Sequence, residues 1–196
     1  MKPSIFLNDM LTKGAILGIV MLLVDTAEVA MLTYGHSLSW LIVMVFESLL
    51  ATALYIFLAY RFTRNYANMV LEARKEMPFF SYGSGLSYVV SLYLLAGIIV
   101  SLGGWMVRHY IVGYDNFINS SVSLIYEIMA MSQIPAPLAS AYNEMLNALK
   151  SQDEPTLIST IFSGMWSYLV KGSCMGLIIA AFTVRKPQIF DKQDEQ

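Results

Sequence analysis

Apolar positions gather into four long blocks along the chain, at 14–34, 38–60, 86–107 and 157–184. Each reaches the roughly 20 residues that an α-helix, rising about 1.5 Å per residue, needs to cross the hydrocarbon of a bilayer. Lipid offers no hydrogen bonds, so such blocks must satisfy their backbone groups internally, and helices do so. The pattern predicts an all-α, polytopic membrane protein with four transmembrane helices in one domain over 1–196. His36 and Ser37 make so short a turn between the first two blocks that these helices must form an antiparallel hairpin.

The stretches between blocks carry their own periodicity. From Arg61 to Tyr82, charged residues alternate with Tyr66, Met69, Val70 and Leu71, which extends helix two out of the membrane. Met77, Pro78, Phe79 and Phe80 then stop it, because the residue before proline is biased away from helix. Between 113 and 154 two amphipathic helices are expected on the outer side. Phe117, Ile118, Val122, Leu124, Ile125, Ile128 and Met129 fall on one face. Leu138, Ala141, Tyr142, Met145, Leu146 and Leu149 repeat in the same way on the second, and Pro135 and Pro137 separate the two. This pair reads as a lid packed on the bundle or lying in the interface, or else as a cap that binds a partner or ligand. Residues 185–196 form a polar tail.

Composition narrows the class further. The chain is 57% hydrophobic and only 13% charged, where a soluble domain carries about 25%. A net charge of −2 gives no basic surface for nucleic acid. The single cysteine, Cys174, excludes an intrachain disulfide and reads as a small packing residue. Of the twelve Lys and Arg residues, nine lie on one side if the blocks alternate: Lys2, Lys13, Arg61, Arg64, Arg74, Lys75, Arg185, Lys186 and Lys192. Positive residues collect on the cytoplasmic side, which places both termini in the cytoplasm and the protein in the inner membrane. The uninterrupted apolar run from Gly14 to Val24 has the length of a signal peptide, but Asp25 and Glu28 follow it at once and no clean small-x-small cleavage site is present, so the block is expected to remain as a helix.

Four charges lie inside these blocks: Asp25, Glu28, Glu47 and Lys171. Counted from the cytoplasmic ends of the blocks, Asp25, Glu47 and Lys171 share one layer roughly 17 to 20 Å deep. Glu28, one turn further along helix one, shares a face with Asp25. An acid at a helix centre costs roughly 2.5 to 3.5 kcal/mol on insertion scales, so helix one depends on its neighbours. A lysine at that depth needs a carboxylate or water, and an ion pair from Lys171 to Asp25 or Glu47 is expected. Such a cluster serves either as a register device that sets helix order or as a proton- or cation-responsive site. Small residues at four-residue spacing, Gly14 with Gly18, Gly97 with Ser101 near Gly103 and Gly104, and Gly172 with Gly176, mark faces where helices approach closely, within the bundle or across a dimer.

Motif chemistry is sparse. Gly83 and Gly85 follow no strand and do not make a phosphate loop. His36 and His109 sit at outer helix ends, with His109 beside Arg108 read as an interfacial anchor, and no metal or nucleophile motif is present. No catalytic residue, metal or cofactor is expected, and the protein is not expected to be an enzyme. The segments PFFSYGSGLSYVVSLYLLAGIIVSLGGW, YIVGYDNFINSS and MGLIIAAFTVRK resemble the bacterial four-helix membrane proteins of domain-of-unknown-function family 4199, widespread in Bacteroidetes. The resemblance covers most of the chain and implies an inner-membrane location without an assigned activity. The expected role is that of a structural, assembly or interaction protein with a buried polar cluster. Its partners are the lipid bilayer and a second copy or another membrane protein. The alternative is a small proton- or ion-coupled transporter or sensor.

Overall fold

A computed structural model describes residues 3–35, 38–73, 79–131 and 136–184. The chain is all-α: α1 (Pro3–Tyr34), α2 (Leu38–Ala73), α3 (Tyr82–Met106), a π-helical turn (Val107–Val112), α4 (Tyr114–Met131), α5 (Ala136–Lys150) and α6 (Leu157–Thr183). Four helices are long and apolar enough to span a membrane, over Phe6–Tyr34, Trp40–Ala73, Tyr82–Val112 and Leu157–Thr183. His36, Ser37, Pro135 and the basic residues Lys2, Arg74, Lys75, Arg185, Lys186 and Lys192 lie outside the described residues.

α3 is the axis of the bundle. It packs along α1 on one side and α6 on the other, and half of its membrane window is buried, against about a fifth for α1 and α6 and 6% for α2. Apolar burial does not draw helices together in lipid, so close approach must come from shape. The glycines supply it. Cβ atoms at Gly14 and Gly18 would lie 2.9 Å from Leu95 and Ile99 of α3, and one at Gly103 would lie 2.4 Å from Leu22 of α1. On the other seam, added Cβ atoms at Gly97, Gly172 and Gly176 would meet Tyr168, Tyr93 and Leu86 at 2.6 to 2.8 Å, and one at Gly164 would strike Ser101. The small-residue positions therefore lie in contacts inside the bundle.

The helices at the end carrying the start of α1 and the end of α6 run further than the apolar blocks. α1 includes the polar lead of Asn8, Asp9 and Thr12, and α2 continues to Ala73. The reason is packing: Phe62, Thr63, Tyr66, Ala67 and Val70 repeat at helical spacing and are buried. Phe6, Tyr66, Phe80 and Tyr88 form an aromatic layer there. Tyr66 and Tyr88 stack at 4.3 Å, and Phe6 and Phe80 meet Tyr66 edge-on. The Tyr88 hydroxyl donates to Asp9 of α1. This is the terminal end of the bundle. α3 starts four residues before its apolar block because Ser81 caps it, its hydroxyl accepting from the Ser84 amide at 3.2 Å.

At the opposite end, the loop end, Gly113 leaves the π turn at φ 81°, a left-handed conformation that glycine adopts without strain. α4 then packs on α1, burying Ile118 and Val122. α5 packs chiefly on α4, and here the expected apolar stripe is only partly used. Leu146 is fully buried and Leu149 half-buried, whereas Ala141, Tyr142 and Met145 are exposed, as is Ile128 of α4. The side chain of Leu138 is outside the described residues. α5 has α4 to lean on rather than the bundle, so one narrow line of contact replaces a broad face.

Candidate functional site

Asp25 lies on α1 with Glu28 one turn beyond. Its two carboxylate oxygens accept from Arg108 Nη2 at 2.8 and 3.1 Å. This corrects an expectation, since Lys171 was the expected partner of Asp25 or Glu47. Two physical causes explain the difference. Helical side chains point back toward the N-terminus, so Arg108 reaches down into the bundle, and the π winding of Val107–Val112 changes its bearing. Asp25 is also only nine residues from the α1 end at Tyr34, hence about 14 Å from the loop end. Gly104 completes the fit: a Cβ there would lie 2.8 Å from Asp25 Oδ2 and 3.4 Å from Arg108 Nη1. The guanidinium also lies 5.3 Å from the centre of the Phe117 ring, so one side chain ties α1 and α4 to the end of α3.

Lys171 is on α6 and is exposed. Its ammonium sits 4.7 Å from the ring centre of Tyr168, one turn earlier on the same helix, and makes no ion pair among the described residues. It remains within electrostatic reach of Asp25 and Glu28. Glu47 of α2 lies within electrostatic reach of Glu28 across the α1–α2 contact. Ionised carboxylates only accept, and Glu47 Oε2 is buried with no donor among the described residues. The structure thus brings Asp25, Glu28, Glu47 and Lys171 into one region and adds Arg108 to it.

These groups border open space. A cavity of about 390 Å³ between α1, α2, α3 and α6 is lined by Asp25, Glu28, Tyr55, Tyr93, Tyr168 and Lys171, with Ser48 and Thr52. A second cavity of about 530 Å³ lies toward the loop end, lined by Arg108, Ser101, Ser159, Thr160, Ser163 and Ser167. Asp25, Tyr168 and Lys171 belong to both. Both far exceed the ~30 Å³ that one water occupies, and both offer the polar partners a water needs. A third, apolar groove of about 450 Å³ opens on the surface of α2, with Glu47 the one ionisable residue in its wall.

The remaining charged contacts brace the loop end. His109 Nδ1 pairs with Glu154 Oε1 at 2.8 Å, its ring stacks on Trp105 at 4.7 Å, and Trp105 Nε1 donates to the Pro155 carbonyl at 3.0 Å. His109 thus joins α3 to the segment leading into α6. Arg108, Tyr168 and the hydroxyl line of α6 were missed in the sequence reading. A signal for the last was present, because Ser159, Ser163, Ser167 and Lys171 recur every four residues and share a face.

Fold and site together define a polytopic helical membrane protein with charged cavities between its spanning helices. The family model described as "Protein of unknown function (DUF4199)" matches residues 12–185, and the chain belongs to that family. No curated protein and no solved structure matches the chain.

Proposed function

We propose that this protein is a non-enzymatic, multi-pass component of a bacterial inner membrane, of the kind widespread in Bacteroidetes, that takes up a proton or small cation within the bundle. It acts as an ion- or proton-coupled transporter or as a sensor. One observation carries this reading: Asp25, Glu28, Arg108 and Lys171 line two adjoining cavities, with Glu47 within electrostatic reach of Glu28, which leaves one surplus negative charge when all five are ionised. A pure register device has no use for space around its charges, and a single uncompensated charge in a membrane calls for a monovalent counterpart. Purified protein reconstituted in liposomes tests it. A proton or monovalent-cation gradient should produce uptake, or a saturable spectroscopic response, that is lost in Glu28→Gln. No uptake and no response over protein-free liposomes contradicts the proposal.

The structural and assembly role is the second reading, and it has its own support. Arg108 bridges α1, α3 and α4 through Asp25 and Phe117, as a device for holding helix order would. On that reading Glu28→Gln changes stability alone. The orientation belongs to the same proposal: the basic residues put both termini in the cytoplasm. Reporter fusions after residues 35, 75, 130 and 190 should read outside, inside, outside and inside, and a cytoplasmic signal at 130 contradicts the arrangement.

A further inference from the structure

The walls of the mid-bundle cavity are unusual for a site that holds only a proton or a metal ion. Three tyrosines, Tyr55, Tyr93 and Tyr168, stand around it, with the carboxylates of Asp25 and Glu28. Met21, Val24, Ala51, Ile56 and Met175 supply an apolar wall, and the hydroxyls of Ser48 and Thr52 and the Lys171 ammonium complete the lining. Inorganic cations select dense oxygen ligands at short distance. Aromatic faces and a carboxylate beside an apolar wall instead match an alkylammonium, whose charge is diffuse and whose body is hydrophobic.

The protein already places such a group there. The Lys171 ammonium lies 4.7 Å from the centre of the Tyr168 ring, at the edge shared by the two cavities, without a carboxylate at ion-pair distance among the described residues. Its alkyl chain and ammonium are a tethered copy of a primary amine. The volume, about 390 Å³, is at the small end of ligand cavities, which run from roughly 300 to 1,000 Å³, and suits a compact molecule. The second cavity, with the hydroxyls of Ser159, Ser163 and Ser167, leads to this place from the loop end. The aromatic layer of Phe6, Tyr66 and Tyr88 lies at the terminal end.

We propose that the cavity walled by Tyr55, Tyr93, Tyr168, Asp25 and Glu28 binds a small organic ammonium ion, entering from the loop end and displacing the Lys171 ammonium from the face of Tyr168. This inference rests on the cation-binding role proposed above and names the class of cation. Occupancy answers to every charged group around the cavity: Asp25 and Glu28 of α1, Glu47 of α2, Arg108 after α3 and Lys171 of α6.

Calorimetric titration of the purified full-length protein with tetramethylammonium, sodium and the neutral near-isostere neopentyl alcohol, which keeps the tert-butyl group, tests it. Tetramethylammonium should bind saturably, and the neutral alcohol should not compete. Glu28→Gln and Tyr168→Leu should each weaken binding about tenfold or more, whereas Tyr168→Phe, which keeps the ring, should preserve it. Lys171→Met should tighten binding by about tenfold, a gain that misfolding cannot produce. Binding of sodium or protons without tetramethylammonium overturns this inference and leaves the proposed function standing. Equal binding of the neutral alcohol also overturns it. The absence of any cation or proton binding overturns both.

Discussion

Arg108→Met is expected to lower the unfolding free energy by about 3 kcal/mol, toward the lower end of the range for removing one member of a buried ion pair. The substitution strands Asp25 against the backbone of Gly104 with no counter-charge at contact distance. The side chains are 29% and 24% exposed, through the loop-end cavity, so water softens the loss but does not abolish it. The double variant Arg108→Met with Asp25→Leu should recover most of the stability, because an ion pair replaced by apolar groups is often close to neutral. Thermal unfolding in detergent at pH 8, where a free carboxylate stays ionised, reads both. A single variant as stable as the parent would show that this pair does not hold α1 to α3. Lys171→Met serves as the contrast: its ammonium has no ion-pair partner among the described residues, and its removal should cost far less.

Gly97→Val should have an effect of similar size by a different route. A Cβ at Gly97 would lie 2.7 Å from Tyr168 Cγ and 2.6 Å from Tyr168 Cβ, and the backbone fixes that Cβ whatever the rotamer. α3 and α6 must therefore separate, and overpacking of this kind typically costs about 1 to 3 kcal/mol and occasionally more. The loss falls on the most extensive seam in the bundle and shifts the ring that divides the two cavities. Gly103→Ala, by contrast, meets only the flexible end of Leu22 and should be milder. Companion truncation of Tyr168 to Gly in the Gly97→Val background, which removes both contacting atoms, should return part of the stability relative to the same truncation made alone. Unfolding temperatures for the set separate steric cause from general sensitivity, and no rescue by the truncation contradicts the steric account.

The spanning helices were legible because length and apolarity decide them, and the glycine spacings were legible because four residues bring side chains to one face. Their partners were not: nothing in a single sequence tells that Gly14 and Gly18 face α3 while Gly172 and Gly176 face its other side. Asp25, Glu28, Glu47 and Lys171 stood out as charges in apolar blocks. Arg108 did not, because it lies at the end of its block, where a cation ordinarily turns to the lipid headgroups. Its inward course depends on the π turn and on the bare backbone of Gly104, neither of which hydrophobic periodicity records. Similarly, the stripe of α5 marked Tyr142 and Met145 for burial although they are exposed, while Leu146 and Leu149 pack into the α4–α5 cluster, since periodicity identifies a face and not what covers it.

If water reaches the charged region from the loop end, thiol accessibility along the α6 hydroxyl line detects it directly. In a Cys174→Ala background, single cysteines at Ser163 and Ser167 probe the loop-end cavity wall, while one at Ala96, fully buried against α1, serves as a dry control. A membrane-impermeant methanethiosulfonate needs a hydrated thiolate to react. The account predicts rapid modification of Ser163→Cys and Ser167→Cys in sealed membranes from the loop side, slowed when tetramethylammonium is present, with none at Ala96→Cys. Modification of neither serine position, under conditions where a cysteine at Gln152 reacts, would mean a dry, purely structural cluster and would contradict the account.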